Sequence, residues 1–166
     1  MELLAKDERV VFLGQNLLYP GGITIETMQT IPNDRKIEMP VAEELQLGMS
    51  IGLALEGYIP VSIFPRMDFL MRAMDQLVNH LDKIEEMSVG RFRPKVIIRT
   101  MIGARSPLYP GAQHSQDHTT ALYSILTNIK VVKLTPADGI VECYKEALES
   151  KQSTILVELA EKIREA

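Results

Sequence analysis

The sequence predicts an α/β domain, a three-layer sandwich with helices on both faces of a mostly parallel central sheet. Three observations carry that expectation. Short apolar runs at Val10–Leu13, Pro60–Phe64, Lys95–Thr100, Lys130–Leu134 and Thr154–Glu158 have the length and β-branched content of interior strands. Helix-length segments separate them, and strand–helix alternation through one domain favours parallel pairing. With 166 residues, 46% of them hydrophobic, the chain is long enough for one domain with its own core.

The elements follow in order. Val10–Leu13 comes after Lys6-Asp7-Glu8-Arg9 and stops at Gly14. Beyond the Pro20-Gly21-Gly22 break, Ile23–Ile31 resumes as a short helix, and Pro32-Asn33-Asp34 marks a turn. Ile37–Met39 is a brief strand or extended piece, with Met39 biased to extended backbone by Pro40. Glu43–Glu56 is a helix apolar on more than one side, which suits packing between a sheet and another surface. Gly48 and Gly52 within it permit close approach of a second backbone, from the sheet or from another subunit. Gly57-Tyr58 ends that helix. Phe69–Met87 reads as one long amphipathic helix with Met71, Met74, Val78, Leu81 and Ile84 on a broad face. Gly103–Ser115, punctuated by Gly103, Pro107, Pro110 and Gly111, is a long loop of the kind that carries function. Thr119–Leu126 is a helix. Pro136–Glu149 is another, opening on proline after a Thr135 cap.

Composition narrows the function classes. A net charge of -4 argues against general affinity for nucleic acid or anionic membrane. No apolar stretch has the length of a membrane span and no export signal is visible, so a cytoplasmic location is the default expectation. Cys143 is the only cysteine, which rules out an internal disulfide and a multi-cysteine zinc cluster; it reads as a small buried residue of a helix. Neither Gly21-Gly22 nor Gly103 sits in a phosphate-binding glycine fingerprint. His114 and His118 are four apart, but Ser115 stands where a zinc-protease motif needs glutamate, so no metal site is assigned. Ser115 also lacks the setting of a nucleophile elbow, and His80 reads as a helix-surface or interface residue.

Three places carry chemistry. Glu43, in Pro40-Val41-Ala42-Glu43-Glu44, opens a helix at the ligand-binding end of the sheet; a helix-start carboxylate is the plain alternative. Phe69 precedes the long helix and on its own reads as an ordinary core ring. His114 lies in Gln113-His114-Ser115, where an imidazole serves as donor or acceptor near neutral pH or is simply hydrogen-bonded. Asp75, Gln76 and Asn79 are polar groups that fix a partner subunit or face solvent.

Taken together, several segments resemble the pyrimidine-binding domain of thiamine-diphosphate-dependent enzymes, closest to the beta subunit of 2-oxoacid (pyruvate-type) dehydrogenase E1 within the transketolase-like superfamily. They begin with Pro40-Val41-Ala42-Glu43 and Gly57-Tyr58-Ile59-Pro60-Val61, then Asp68-Phe69 and Ala73-Met74-Asp75-Gln76-Leu77-Val78-Asn79. Gln113-His114-Ser115-Gln116, Lys130-Val131-Val132, Thr135-Pro136-Ala137-Asp138 and Leu156-Val157-Glu158 complete the series, in the family's order over nearly the whole chain.

The resemblance implies the thiamine-diphosphate-binding fold, with residues 1–166 as the pyrimidine-binding domain. It implies that Glu43 hydrogen-bonds a ring nitrogen of the cofactor's aminopyrimidine and favours its reactive tautomer, that Phe69 stacks on that ring, and that His114 lies near thiazolium and substrate. Gln15 joins this set at the cofactor, in Gly14-Gln15-Asn16, where the family has Gly-Glu-Asp. Magnesium and the diphosphate fall to a partner, an alpha-like diphosphate-binding chain, since the Gly-Asp-Gly signature is missing from this sequence. The diphosphate-binding and carboxy-terminal domains are expected on other polypeptides or on a longer chain, and the amino-terminal helix reads as shortened to Met1–Lys6. Self-association as a dimer or heterotetramer follows, with a small 2-oxoacid or ketose as substrate. A split transketolase-like component and a non-catalytic assembly subunit are the alternatives. Thr127-Asn128-Ile129 replaces the family's Pro-Gly, and Arg66 and Arg105 are candidate contacts for a substrate carboxylate.

Overall fold

The computed structural model describes residues 1–19, 23–104, 106, 109–135 and 139–160. The chain runs through α1 (Glu2–Ala5), β1 (Val10–Gly14), α2 (Ile23–Glu26), β2 (Lys36–Glu38), α3 (Glu43–Leu55) and β3 (Ile59–Phe64). It continues with α4 (Met67–Leu70), α5 (Ile84–Met87), β4 (Ile97–Ile102), α6 (Thr119–Ile125), β5 (Lys130–Lys133), α7 (Ile140–Glu149) and β6 (Thr154–Leu159). The strands form one six-stranded sheet in the order β2-β1-β3-β4-β6-β5. Every pairing is parallel, so the sheet is more uniform than the sequence required.

Two apolar cores lie on opposite faces of this sheet. On one, Phe64, Ile98, Ile155 and Val157 pack with Leu47 and Ile51 of α3 and with Leu122 of α6. On the other, Val61, Ile63, Ile97 and Leu156 meet Leu4 of α1 and Tyr144 and Ala147 of α7. Neighbouring residues of β3, β4 and β6 thus point into different cores, the two-residue period of a strand buried on both sides. Pro60 fits inside β3 because it is the strand's second residue. It pairs with Val11, and pairing with β4 starts only at Val61, so the missing N–H falls at the ladder's end.

Three expectations are corrected. The helix predicted over Ile23–Ile31 stops at Glu26, where Thr27 turns both its N–H and its hydroxyl onto the Thr24 carbonyl. Such a side-chain bond competes with helix continuation. The long helix predicted over Phe69–Met87 is divided. α4 passes into a 3-10 turn at Met71–Ala73, then a π-helical stretch at Asp75–Leu81, and α5 follows only at Ile84. The wide turn is marked by the Asp82 N–H bonding the Leu77 carbonyl, five residues back. Cys143, expected to be buried, is only half-buried on α7, at the margin of the core that Tyr144 enters. α7 itself starts at Ile140 behind Gly139, whose φ is 65°; the predicted start at Pro136 lies outside the described residues.

Candidate active site

Parallel sheets place their ligands beyond the carboxyl ends of the strands. In this sheet those ends lead to Gln15 after β1, to Pro40–Glu43 after β2, to Phe69 after β3, and to the loop holding His114 after β4.

The first half of the site is built around two glutamates. The Glu38 carboxylate accepts the N–H groups of Asn16, Leu17 and Leu18 at 2.6, 2.7 and 2.9 Å. It folds the post-β1 loop into a tight turn, with Asn16 at φ 56°. That turn aims Gln15 at Glu43, whose Oε1 accepts the Gln15 amide at 3.3 Å. Gly14 makes the turn possible, since a Cβ there would lie 2.8 Å from the Ile63 carbonyl oxygen. Glu43 is the first residue of α3, and its side chain is only 3% exposed. The helix dipole favours a carboxylate there. Its Oε2 has no hydrogen-bond partner. Arg72 Nε stands 3.3 Å from that oxygen, close enough for an ion pair but misaligned for a hydrogen bond. Both side chains border a groove of about 560 Å³ that Val41, Gly48 and Gln76 also line.

Phe69 and His114 form the second half. Their rings meet edge to face, centroids 5.3 Å apart at 84°. Beside this contact the loops are tied together, Gln116 Nε2 donating to Asp68 Oδ1 at 2.7 Å. The second Asp68 oxygen is buried and has no partner. Gly103 lets the loop return so closely that a Cβ there would sit 1.9 Å from the His114 carbonyl oxygen. Gly111, at φ 102°, turns the chain into the short 3-10 segment ending at His114, and Ser115 Oγ donates to its carbonyl at 3.1 Å. Ser115 is therefore a loop brace.

The structure thus joins Gln15 to Glu43 and Phe69 to His114. Among the described residues, no hydrogen bond or ring contact links one pair to the other. The remaining candidates fall elsewhere. Arg66 donates to the Pro65 carbonyl at 3.0 Å and to Met101 Sδ at 3.6 Å. Arg105 lies outside the described residues. His118 precedes α6, and its backbone N–H approaches Met67 Sδ at 3.3 Å. His80 is exposed beside Asp75, which accepts the Asn79 amide at 2.8 Å, so these polar groups face solvent; Gln76 alone borders the groove. Below His118, burial opposes the ionisation of Asp117, but hydrogen bonds from Lys133 and Thr119 outweigh it and hold the carboxyl at about 2. Among the described residues, no three His, Cys, Asp or Glu side chains are grouped to hold a metal ion, and no helix is long and apolar enough to cross a membrane.

Sequence reasoning missed Glu38, Arg72 and the positioning role of Gly103. The signals were faint: an acid at the end of a strand, an arginine three residues after Phe69, and one glycine among several in a loop.

Residues 1–164 match the family model described as the transketolase, pyrimidine binding domain. The chain belongs to that family. It is 32% identical over 145 residues to a 3-methyl-2-oxobutanoate dehydrogenase subunit beta of Mycobacterium tuberculosis, with 83% of this chain covered. It is 33% identical over 134 residues to a pyruvate dehydrogenase E1 component subunit beta of Rickettsia bellii, with 79% covered. In both cases the match spans 40% of the relative's own length. A solved structure described as a split gene transketolase, inactive beta4 tetramer, superposes with a TM-score of 0.70 at 21% identity. It covers 95% of this chain and 46% of the other, and supports the fold.

Proposed function

We propose that this pyrimidine-binding domain is half of a thiamine-diphosphate-dependent active site, in a component like the beta subunit of a 2-oxoacid dehydrogenase E1. One observation carries the reading: a helix-opening glutamate, nearly fully buried, with one oxygen held by Gln15 and the other without a hydrogen bond. A buried carboxylate oxygen without a hydrogen bond is costly to keep, and a ligand N–H would satisfy it. The residues present fit the group. Glu43 would hold the pyrimidine ring through Oε2, Gln15 fixes the carboxylate's orientation through Oε1, and Phe69 offers an aromatic face. When bound, the cofactor supplies an electron sink for decarboxylation and acyl transfer. His114, braced by the Phe69 ring, would serve as a hydrogen-bonding group for a substrate oxygen.

The other half belongs to a partner, an alpha-like chain that binds diphosphate and magnesium, and the assembly acts in the cytoplasm on a small 2-oxoacid. Val41, Leu45, Met49 and Leu55 are exposed along α3 and its approach, which supports docking and self-association as a dimer or heterotetramer. The test is Glu43→Gln in the complex with the natural partner. Exchange of the thiamine-diphosphate C2 proton, followed by NMR, should slow at least tenfold while assembly persists. An unchanged exchange rate would exclude Glu43 from cofactor activation.

A further inference from the structure

We infer that Arg72 sets cofactor affinity through Glu43, covering the free carboxylate oxygen until the pyrimidine replaces it. This rests on the cofactor reading above. Oε2 is the one atom of Glu43 left for a ligand, and the Arg72 guanidinium occupies the approach to it at 3.3 Å.

The contact is made for exchange. The Arg72 side chain is 75% exposed against 3% for Glu43, and it makes no hydrogen bond among the described residues, so charge alone holds it. It projects from the 3-10 turn at Met71–Ala73, beside the π-helical stretch, and borders an open groove. Glu44, exposed on the same groove, offers the displaced guanidinium a second carboxylate. A ring N–H arriving at Oε2 would bring the aligned hydrogen bond that Arg72 lacks. A ring nitrogen that carries a proton therefore competes with Arg72 for one oxygen, and the guanidinium's hold on Oε2 lowers cofactor affinity.

The test uses the complex with its natural partner, titrated with thiamine diphosphate and Mg2+ by calorimetry. Arg72→Gln should tighten binding about fivefold, the range of a single exposed ion pair. Arg72→Lys, keeping the charge, should restore wild-type affinity. In a Glu43→Gln background the gain from Arg72→Gln should vanish, which a merely structural role for Arg72 would not produce. In the cofactor-free chain, Glu43→Gln should shift the Arg72 side-chain Nε resonance, and cofactor binding to the wild-type complex should shift it the same way. Equal or weaker binding by Arg72→Gln, an equal gain in both backgrounds, or an Nε resonance indifferent to Glu43 would each overturn the inference while leaving the cofactor site standing. Failure of every variant, wild type included, to bind thiamine diphosphate would overturn both.

Discussion

Gly103 shows how a residue without a side chain holds the His114 loop in place. Its missing Cβ is the space the His114 carbonyl oxygen uses, and no flexible atom can yield there. Gly103→Ala should therefore cost about 2–3 kcal/mol and displace His114 from the Phe69 ring. Thermal unfolding reads the first effect, and loss of the ring-current shift on His114 protons reads the second. A buried ion pair on the opposite face of the sheet makes a second residue-scale case. Arg99 donates to both oxygens of Glu158 at 3.0 and 2.9 Å, and the Tyr144 hydroxyl donates to the same carboxylate at 2.6 Å. Burial and the Glu158 charge push the Tyr144 phenol up, so it stays a donor. Arg99→Met would strand the carboxylate and should cost about 3–5 kcal/mol in urea unfolding, whereas Arg99→Met with Glu158→Leu should cost less. Glu43, Phe69 and His114 were legible in the sequence because each sits beside a turn or helix start at the carboxyl end of a strand. Glu38, Arg72 and Gly103 were not, because their roles come from contacts that no local pattern announces.

Among the elements, the broken helical stretch between β3 and β4 is the most informative. Its end is fixed by Asp82, fully buried, whose carboxylate accepts the Thr127 and Asn128 N–H groups at 3.0 and 2.7 Å and the Thr127 hydroxyl at 2.9 Å. This anchor holds the turn into β5 at Thr127-Asn128. Asp82→Ala would leave those donors unmet and should cost about 3 kcal/mol. Burial opposes ionisation of Asp82, but Lys83 and the Asn128 and Thr127 donors outweigh it, and its carboxyl lies below the ordinary range. A depressed native value means the stabilisation is complete above the unfolded value, near 3.9, and fades as pH falls through the native one. Asp82→Asn should therefore flatten the acid limb of a stability–pH curve below about pH 4. An unchanged limb would show that this carboxylate stays neutral. The sequence announced five of the six strands because their apolar runs are short and bounded by turns, while β2, Lys36–Glu38, showed only as a brief strand or extended piece at Ile37–Met39. It could not announce the division of Phe69–Met87, since a 3.6-residue pattern of apolar side chains looks the same whether or not the backbone widens to hand Asp82 to a distant loop.

Across the molecule as a whole, the outer face of α3 is left uncovered by the described residues. On α3, Leu45, Met49 and Gly52 follow at helical spacing and face outward; Gly52 has no neighbour that a Cβ would meet within 4 Å. Of the two accounts open for the glycine pair, close packing on the sheet therefore fails for Gly52, while Gly48 abuts Gln76 at the groove. That face borders the groove beside Glu43, which Val41, Leu45 and Met49 also line. Met49→Asp should leave the melting temperature of the isolated chain within about 1 °C, since a surface change seldom matters to the monomer. The same change should weaken association at least tenfold in sedimentation, because a charge would be buried without a partner. Cofactor binding should fall in parallel. With only the pyrimidine end held, the isolated chain should bind thiamine diphosphate far more weakly than the complex does with Mg2+. Equal calorimetric affinity for the two would mean that these residues complete a site within a single chain, and the exposed α3 face would then have no part in catalysis.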